Sequence, residues 1–188
     1  MNKESGFALL MSLIVVGVLI SIGLTVLELT ITQVKLSTNA RDSEIAFNSA
    51  NAGLECARFW RRSSSDLMEE GQAIAPTCFG VSATANTNSE ITTGVTGDGE
   101  VFRYDYSFTW GSDGDRCTEV TTLVSSSTAQ GAGTTINNMP TLVPGYSEST
   151  AFCEAGARCT VLAVRGYNKR CTDVSGFGTV QREVLLQF

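Results

Sequence analysis

The chain has 188 residues, with 19 acidic and 13 basic side chains, a net charge of −6 and a pI near 4.7. That length favours one domain, or one domain with an appendage, and the acidic balance argues against a broadly electropositive nucleic-acid surface. The sequence contains no histidine, which removes Ser-His-Asp and Cys-His nucleophile pairs, histidine-containing zinc sites and the HExxH pattern.

The chain opens on Met1-Asn-Lys-Glu-Ser-Gly6 and then runs from Phe7 to Leu27 without a charge, proline, asparagine or glutamine. As a helix at 1.5 Å per residue this run covers roughly 30 Å, the hydrocarbon thickness of a bilayer, and it reads as one membrane span. A secretory signal has a shorter apolar region and a small-x-small cleavage site, and none directly follows Leu27. Lys3 on one side and Lys35 and Arg41 on the other orient the span only weakly. Glu28 falls at the membrane boundary, where a charge costs little, with pairing to Lys35 or to a neighbour as a second role.

No proline occurs before Pro76, so one long helix fits the chain to about Arg62. In its second half Ala46, Ala50, Gly53, Leu54 and Ala57 recur at helical spacing. They form a narrow stripe of small residues, with Phe47 and Leu54 as bulkier contacts, on which the chain's own domain or neighbouring helices pack closely. Arg58, Arg61 and Arg62 fall in the last turn, where cations complement the helix dipole; an intersubunit contact is the alternative. Asp66 to Gly71 reads as a further helical turn.

Beyond it the period changes to two. Val101 to Trp110 places Phe102, Tyr104, Tyr106, Phe108 and Trp110 on one strand face, and Gly111 to Asp115 supplies a turn into a second strand, Cys117 to Val124. Cys159 to Arg165 and Thr179 to Phe188 are β-rich, giving an antiparallel sheet of about four strands. The aromatic row reads as core against the helix rather than a base-stacking platform. Ser82 to Gly99 and Ser125 to Ser149 are dominated by Ser, Thr, Gly and Asn and read as surface excursions. Asp113-Gly-Asp115 is too short to argue for calcium over a turn, and the scattered carboxylates Asp105, Asp113 and Asp115 join in no catalytic motif. No enzyme activity, cofactor or metal is expected.

All six cysteines follow the span, which suggests a disulfide framework in an extracytoplasmic domain. No CxxC pair supports zinc. Among fifteen possible pairings, short local loops favour Cys56 with Cys78 and Cys153 with Cys159, leaving Cys117 with Cys171.

The leader ending in Gly6 immediately before Phe7 and the apolar span resembles that of type IV prepilins. The resemblance implies cleavage by a membrane peptidase between Gly6 and Phe7 and N-methylation of Phe7. It also implies an α+β pilin fold, with a long N-terminal helix, half membrane-spanning and half amphipathic, packed on a disulfide-stabilised antiparallel sheet. The implied organisation is a leader at 1–6, a helix at 7–62 with its transmembrane segment at 7–27, and an extracytoplasmic domain at 63–188. Major pilins usually carry glutamate as the fifth mature residue, where this chain has Met11. Together with SGFALLMSLIVVGVLISIGL and RDSEIAFNSANAGLE, that departure is similar to PilX-type minor pilins and K-type tip pseudopilins, and implies a structural subunit acting in assembly initiation or at the tip. Implied partners are other pilin subunits, the prepilin peptidase, an assembly platform and, before assembly, membrane lipid, with no nucleic acid. The other class consistent with the sequence is a permanently anchored surface receptor or adhesin.

Overall fold

The computed structural model describes residues 4–188; residues 1–3 of the expected leader lie outside the described residues. Helix α1 is Glu4–Ser63, and the chain divides into two compact units between Arg41 and Asp42, with α1 contributing to both. Two short helices follow, α2 at Ser65–Glu69 and α3 at Met139–Leu142.

The strands are β1 Thr77–Cys78, β2 Val81–Ser82, β3 Thr84–Glu90, β4 Val95–Gly97, β5 Glu100–Trp110, β6 Arg116–Ser126, β7 Thr134–Asn137, β8 Thr150–Cys153, β9 Arg158–Tyr167 and β10 Gln181–Gln187. They form three antiparallel sheets: β1-β2, a central sheet ordered β10-β9-β6-β5-β3, and a small sheet ordered β4-β7-β8. The fold is α+β as expected, but about four strands is an underestimate: the described residues hold ten strands in three sheets. The expected strands correspond to β5, β6, β9 and β10, the inner three of the central sheet plus its C-terminal edge, read with ends shifted by one or two residues. The additional β3, β4 and β7 come from the two segments read as surface excursions, and β8 begins just after the second of them.

On one face of the central sheet lies the amphipathic half of α1. The apolar positions of β5, β6 and β9 alternate toward it, and Tyr104, Phe108, Val120, Val124, Leu162 and Val164 form a core with Ala57 and Met68. Ala46, Ser49 and Ala50 are fully buried, and Ala57 nearly so. A side chain on Gly53 would strike Thr118 and Val164, and one on Gly166 would strike the backbone of Ala46 and Ala50. Glycine on both partners therefore lets helix and sheet approach to backbone contact. Thr118 seals the approach, donating its hydroxyl to the Ser49 carbonyl at 3.1 Å and accepting from Trp110 Nε1 at 2.9 Å. Phe47 corrects the sequence reading: it is half exposed and points away from this contact.

The other face of the central sheet carries a second core. Val101, Leu123, Val161 and Ala163 meet Ile136, Met139, Val143 and Tyr146. Four of these lie in the stretch read as a surface excursion. The correction has a plain cause: β7 alternates buried and half-buried residues, but Thr134 takes a buried position that a hydrophobic pattern search expects to be apolar. In the β1-β2 hairpin, Phe79 and Gly80 both adopt positive φ (58° and 76°), the paired conformation a two-residue antiparallel turn requires. The Phe79 ring is held there by stacking on Trp110 at 4.1 Å.

Candidate functional site

The most prominent surface is α1 before Arg41. Phe7, Leu9, Leu10, Met11, Leu13, Ile14 and the apolar residues that follow them as far as Leu36 are each about half exposed or more. β-Branched residues are mediocre helix formers in water, yet this stretch is helical throughout, because a helix satisfies every backbone group internally. Its hydroxyls do the same. Ser12 donates to the Leu9 carbonyl (2.9 Å), Ser21 to Val18 (2.8 Å), Thr25 to Ser21 (2.9 Å) and Thr30 to Val26 (2.9 Å). The stretch is long and apolar enough to cross a membrane.

Gly6 and Phe7 both lie inside α1, whose helical backbone begins at Glu4. The bond expected to be cut is therefore in helical backbone here. Glu28 and Lys35 are two turns apart, and no ion pair joins them among the described residues.

The small-residue stripe Ala46, Ala50, Gly53 and Ala57 is spent on the chain's own sheet, with Leu54 half buried beside it. What α1 leaves outward in its second half is larger and charged: Glu44, Phe47, Glu55, Phe59 and Arg62, with Arg58 pairing Glu55 at 2.9 Å. Near the helix end, Glu55, Arg58, Phe59, Arg62 and Ser63 line an open depression of about 380 Å³.

Arg61 is not a helix-end charge in solvent, correcting the sequence reading for that residue. It is buried, donates Nε to Thr160 Oγ1 at 2.8 Å and Nη2 to Glu69 Oε1 at 2.7 Å, and shares Glu69 with Arg158 at 3.2 Å. The Tyr104 hydroxyl, donating to the carbonyls of Met68 or Gln72 (3.1 and 3.0 Å), fixes the segment that carries Glu69.

On the sheet face turned from α1, a polar strip lies beyond the second core. Arg103 grips Asp105 through two bonds of 2.6 and 3.0 Å, and Thr121 donates to the same carboxylate at 2.7 Å. The register sets Glu119 opposite Arg165, which is opposite Glu183. Arg165 pairs with Glu119 at 3.3 Å, and the Tyr167 hydroxyl donates to Glu119 at 2.9 Å. Burial, reinforced by that hydrogen bond and the Glu119 charge, pushes the Tyr167 phenol up to about 12. Burial also raises the Glu183 carboxyl, with Arg165 opposing.

The three carboxylates weighed for chemistry are not brought together. Asp105 is held by Arg103, Asp115 lies 3.8 Å from Arg116, and Asp113 offers its backbone carbonyl to Arg170. Among the described residues no group of three His, Cys, Asp or Glu side chains is placed to hold a metal ion. The cysteines are joined as Cys56 with Cys78, Cys117 with Cys171 and Cys153 with Cys159, with Cα separations of 6.1, 4.8 and 5.8 Å. Against known protein families, curated proteins and solved structures, the chain shows no match.

Proposed function

We propose that this chain is a structural subunit of a type IV pilus or pseudopilus, a minor pilin that acts in assembly initiation or at the tip. The observation that carries the reading is the first part of α1, uncharged from Phe7 to Leu27 and with its large apolar side chains exposed as far as Leu36. Such a helix rests in lipid until other helices replace the lipid. Since lipid tails are as apolar as leucine, van der Waals packing between helices must supply the gain on leaving the membrane. The hydroxyls at Ser12, Ser21, Thr25 and Thr30 make the transfer inexpensive, because their hydrogen bonds are internal and travel with the helix.

Prepilin peptidase cuts between Gly6 and Phe7 and Phe7 becomes the methylated mature terminus. Met11 presents no charge for a neighbouring terminal amine to meet, which suits a subunit that enters first, with nothing above it. The domain from Asp42 onward stands outside the cytoplasm, where three disulfides persist. Other pilin subunits meet the apolar helix, an assembly platform extracts it, and the tight alanine and glycine stripe remains an internal joint.

The test is the mass of the N-terminal peptide of protein taken from its native membrane, with and without the peptidase. A chain starting at methylated Phe7 only when the enzyme is present supports the reading. A leader retained in both samples overturns it and leaves a permanently anchored receptor or adhesin.

A further inference from the structure

The central sheet has two open edges, and they are managed differently. At β3 the register with β5 shifts between Thr84 and Thr87, and the strand, TANTNSE, has no large apolar side chain. Both devices blunt an edge against pairing. At β10 neither is present: seven consecutive residues pair with β9 without a shift, and the strand, QREVLLQ, has no proline, lysine or bulge.

The backbone phase of β10 follows from its end. Phe188 and Thr160 exchange both backbone bonds, at 3.1 and 2.8 Å. Because bonded and non-bonded pairs alternate in an antiparallel ladder, Arg182, Val184 and Leu186 face β9, while Gln181, Glu183, Leu185 and Gln187 direct N–H and C=O outward. No backbone partner takes these outward groups among the described residues. Beside them lies a groove of about 380 Å³, walled by Tyr146, Glu148, Phe152, Leu185 and Gln187 and bordered by β8, the edge of the small sheet. Phe152 and Leu185 are 55% and 40% exposed there.

We infer that β10 is a strand-addition site for an extended segment of a partner protein, one that alternates apolar side chains and carries a lysine or arginine. Outward backbone groups at every second residue supply the ladder, and the groove takes alternate side chains from the added strand. The apolar positions lie over Leu185 and Phe152. Among the residues that line the groove the charged one is the carboxylate Glu148, so the added strand carries its basic residue over that wall. The inference concerns the sheet alone and stands whether or not the leader is processed.

The probe is the acetylated peptide Thr-Val-Lys-Val-Thr-Val-Thr, added to the full chain in detergent micelles, with amide hydrogen exchange read residue by residue. Exchange at Glu183, Leu185 and Gln187 slows roughly tenfold at saturation, while Val184 and Leu186 change little. Leu185→Pro removes an outward N–H that β9 does not use, a substitution edge strands tolerate, and weakens peptide binding about tenfold or more. Glu148→Lys, in the exposed wall, weakens this peptide and strengthens one with glutamate in place of its lysine. Unchanged exchange with peptide, or equal affinity for both variants and the parent, overturns the inference. So does protection of the same amides that rises with protein concentration in the absence of peptide, which would mean that copies of the chain pair edge to edge.

Discussion

Gly166 shows how a single hydrogen atom can set the distance between two elements. Any side chain there meets main-chain atoms of Ala46 and Ala50, which cannot swing aside, whereas at Gly53 the obstacles are the tips of Thr118 and Val164. Gly166→Ala is therefore expected to lower unfolding free energy by about 1–3 kcal/mol, and Gly53→Ala by less, measured by urea unfolding in micelles. The Arg61–Glu69 pair is the other close-fitted point. Arg61→Met strands Glu69 with only the exposed Arg158 and should cost about 3–5 kcal/mol, while the double change Arg61→Met with Glu69→Leu costs clearly less than the sum of the singles. A double-mutant cycle reads this directly. The Tyr167 phenol gives a third expectation. Its folded pKa, about 12, lies above the ordinary 10.0, so its contribution is complete below about pH 10 and is lost as pH rises through about 12. Stability should fall across that window, and fall less steeply in Tyr167→Phe. The remaining slope belongs to Tyr104, Tyr106 and Tyr146, whose phenols burial also pushes up.

At the scale of elements, legibility followed hydrophobic contrast. α1 was readable because its apolar run is long and its second half repeats small residues at helical spacing, and β5 because five aromatics alternate along it. β3 was not, since TANTNSE offers no large apolar side chain to reveal a period. β7 and α3 hide for a different reason: they bury threonine and methionine among serine, glycine and asparagine, so composition speaks for a loop while Met139 is fully buried. Arg61 was misread because a cation at a helix end satisfies the dipole on its own terms, and nothing local announces that Glu69, on the far side of the Ser63–Ser65 turn, comes within 2.7 Å. The apolar helix surface was fully legible, whereas the groove beside β10 depends on β8, which was not. The second core is a substantive part of the fold, and Met139→Ala should cost about 2–5 kcal/mol, as expected for a core methionine and not for a surface loop. Thermal unfolding compared with the neighbouring exposed change Thr141→Ala separates the two.

For the whole molecule, the three disulfides divide the chain into regions of different covalent security. Cys56 with Cys78 and Cys117 with Cys171 close two long stretches of the sequence, and Cys153 with Cys159 lies within the second. A peptide bond cut inside either stretch leaves both pieces attached through sulfur. Between them, from Phe79 to Arg116, a single strand of backbone is the only covalent link between α1 and the sheets' remaining strands. The edge strand β3 and the turn at Gly111–Asp115 fall in that span. Under limited proteolysis, non-reducing gels should show undiminished mass after cuts near Ala129 and two separate chains after cuts between Phe79 and Arg116, until reductant abolishes the difference. A subunit nicked in that one span would have nothing but packing to keep its domain on its helix: the same alanine and glycine joint that shapes the fold would then bear any load applied between them.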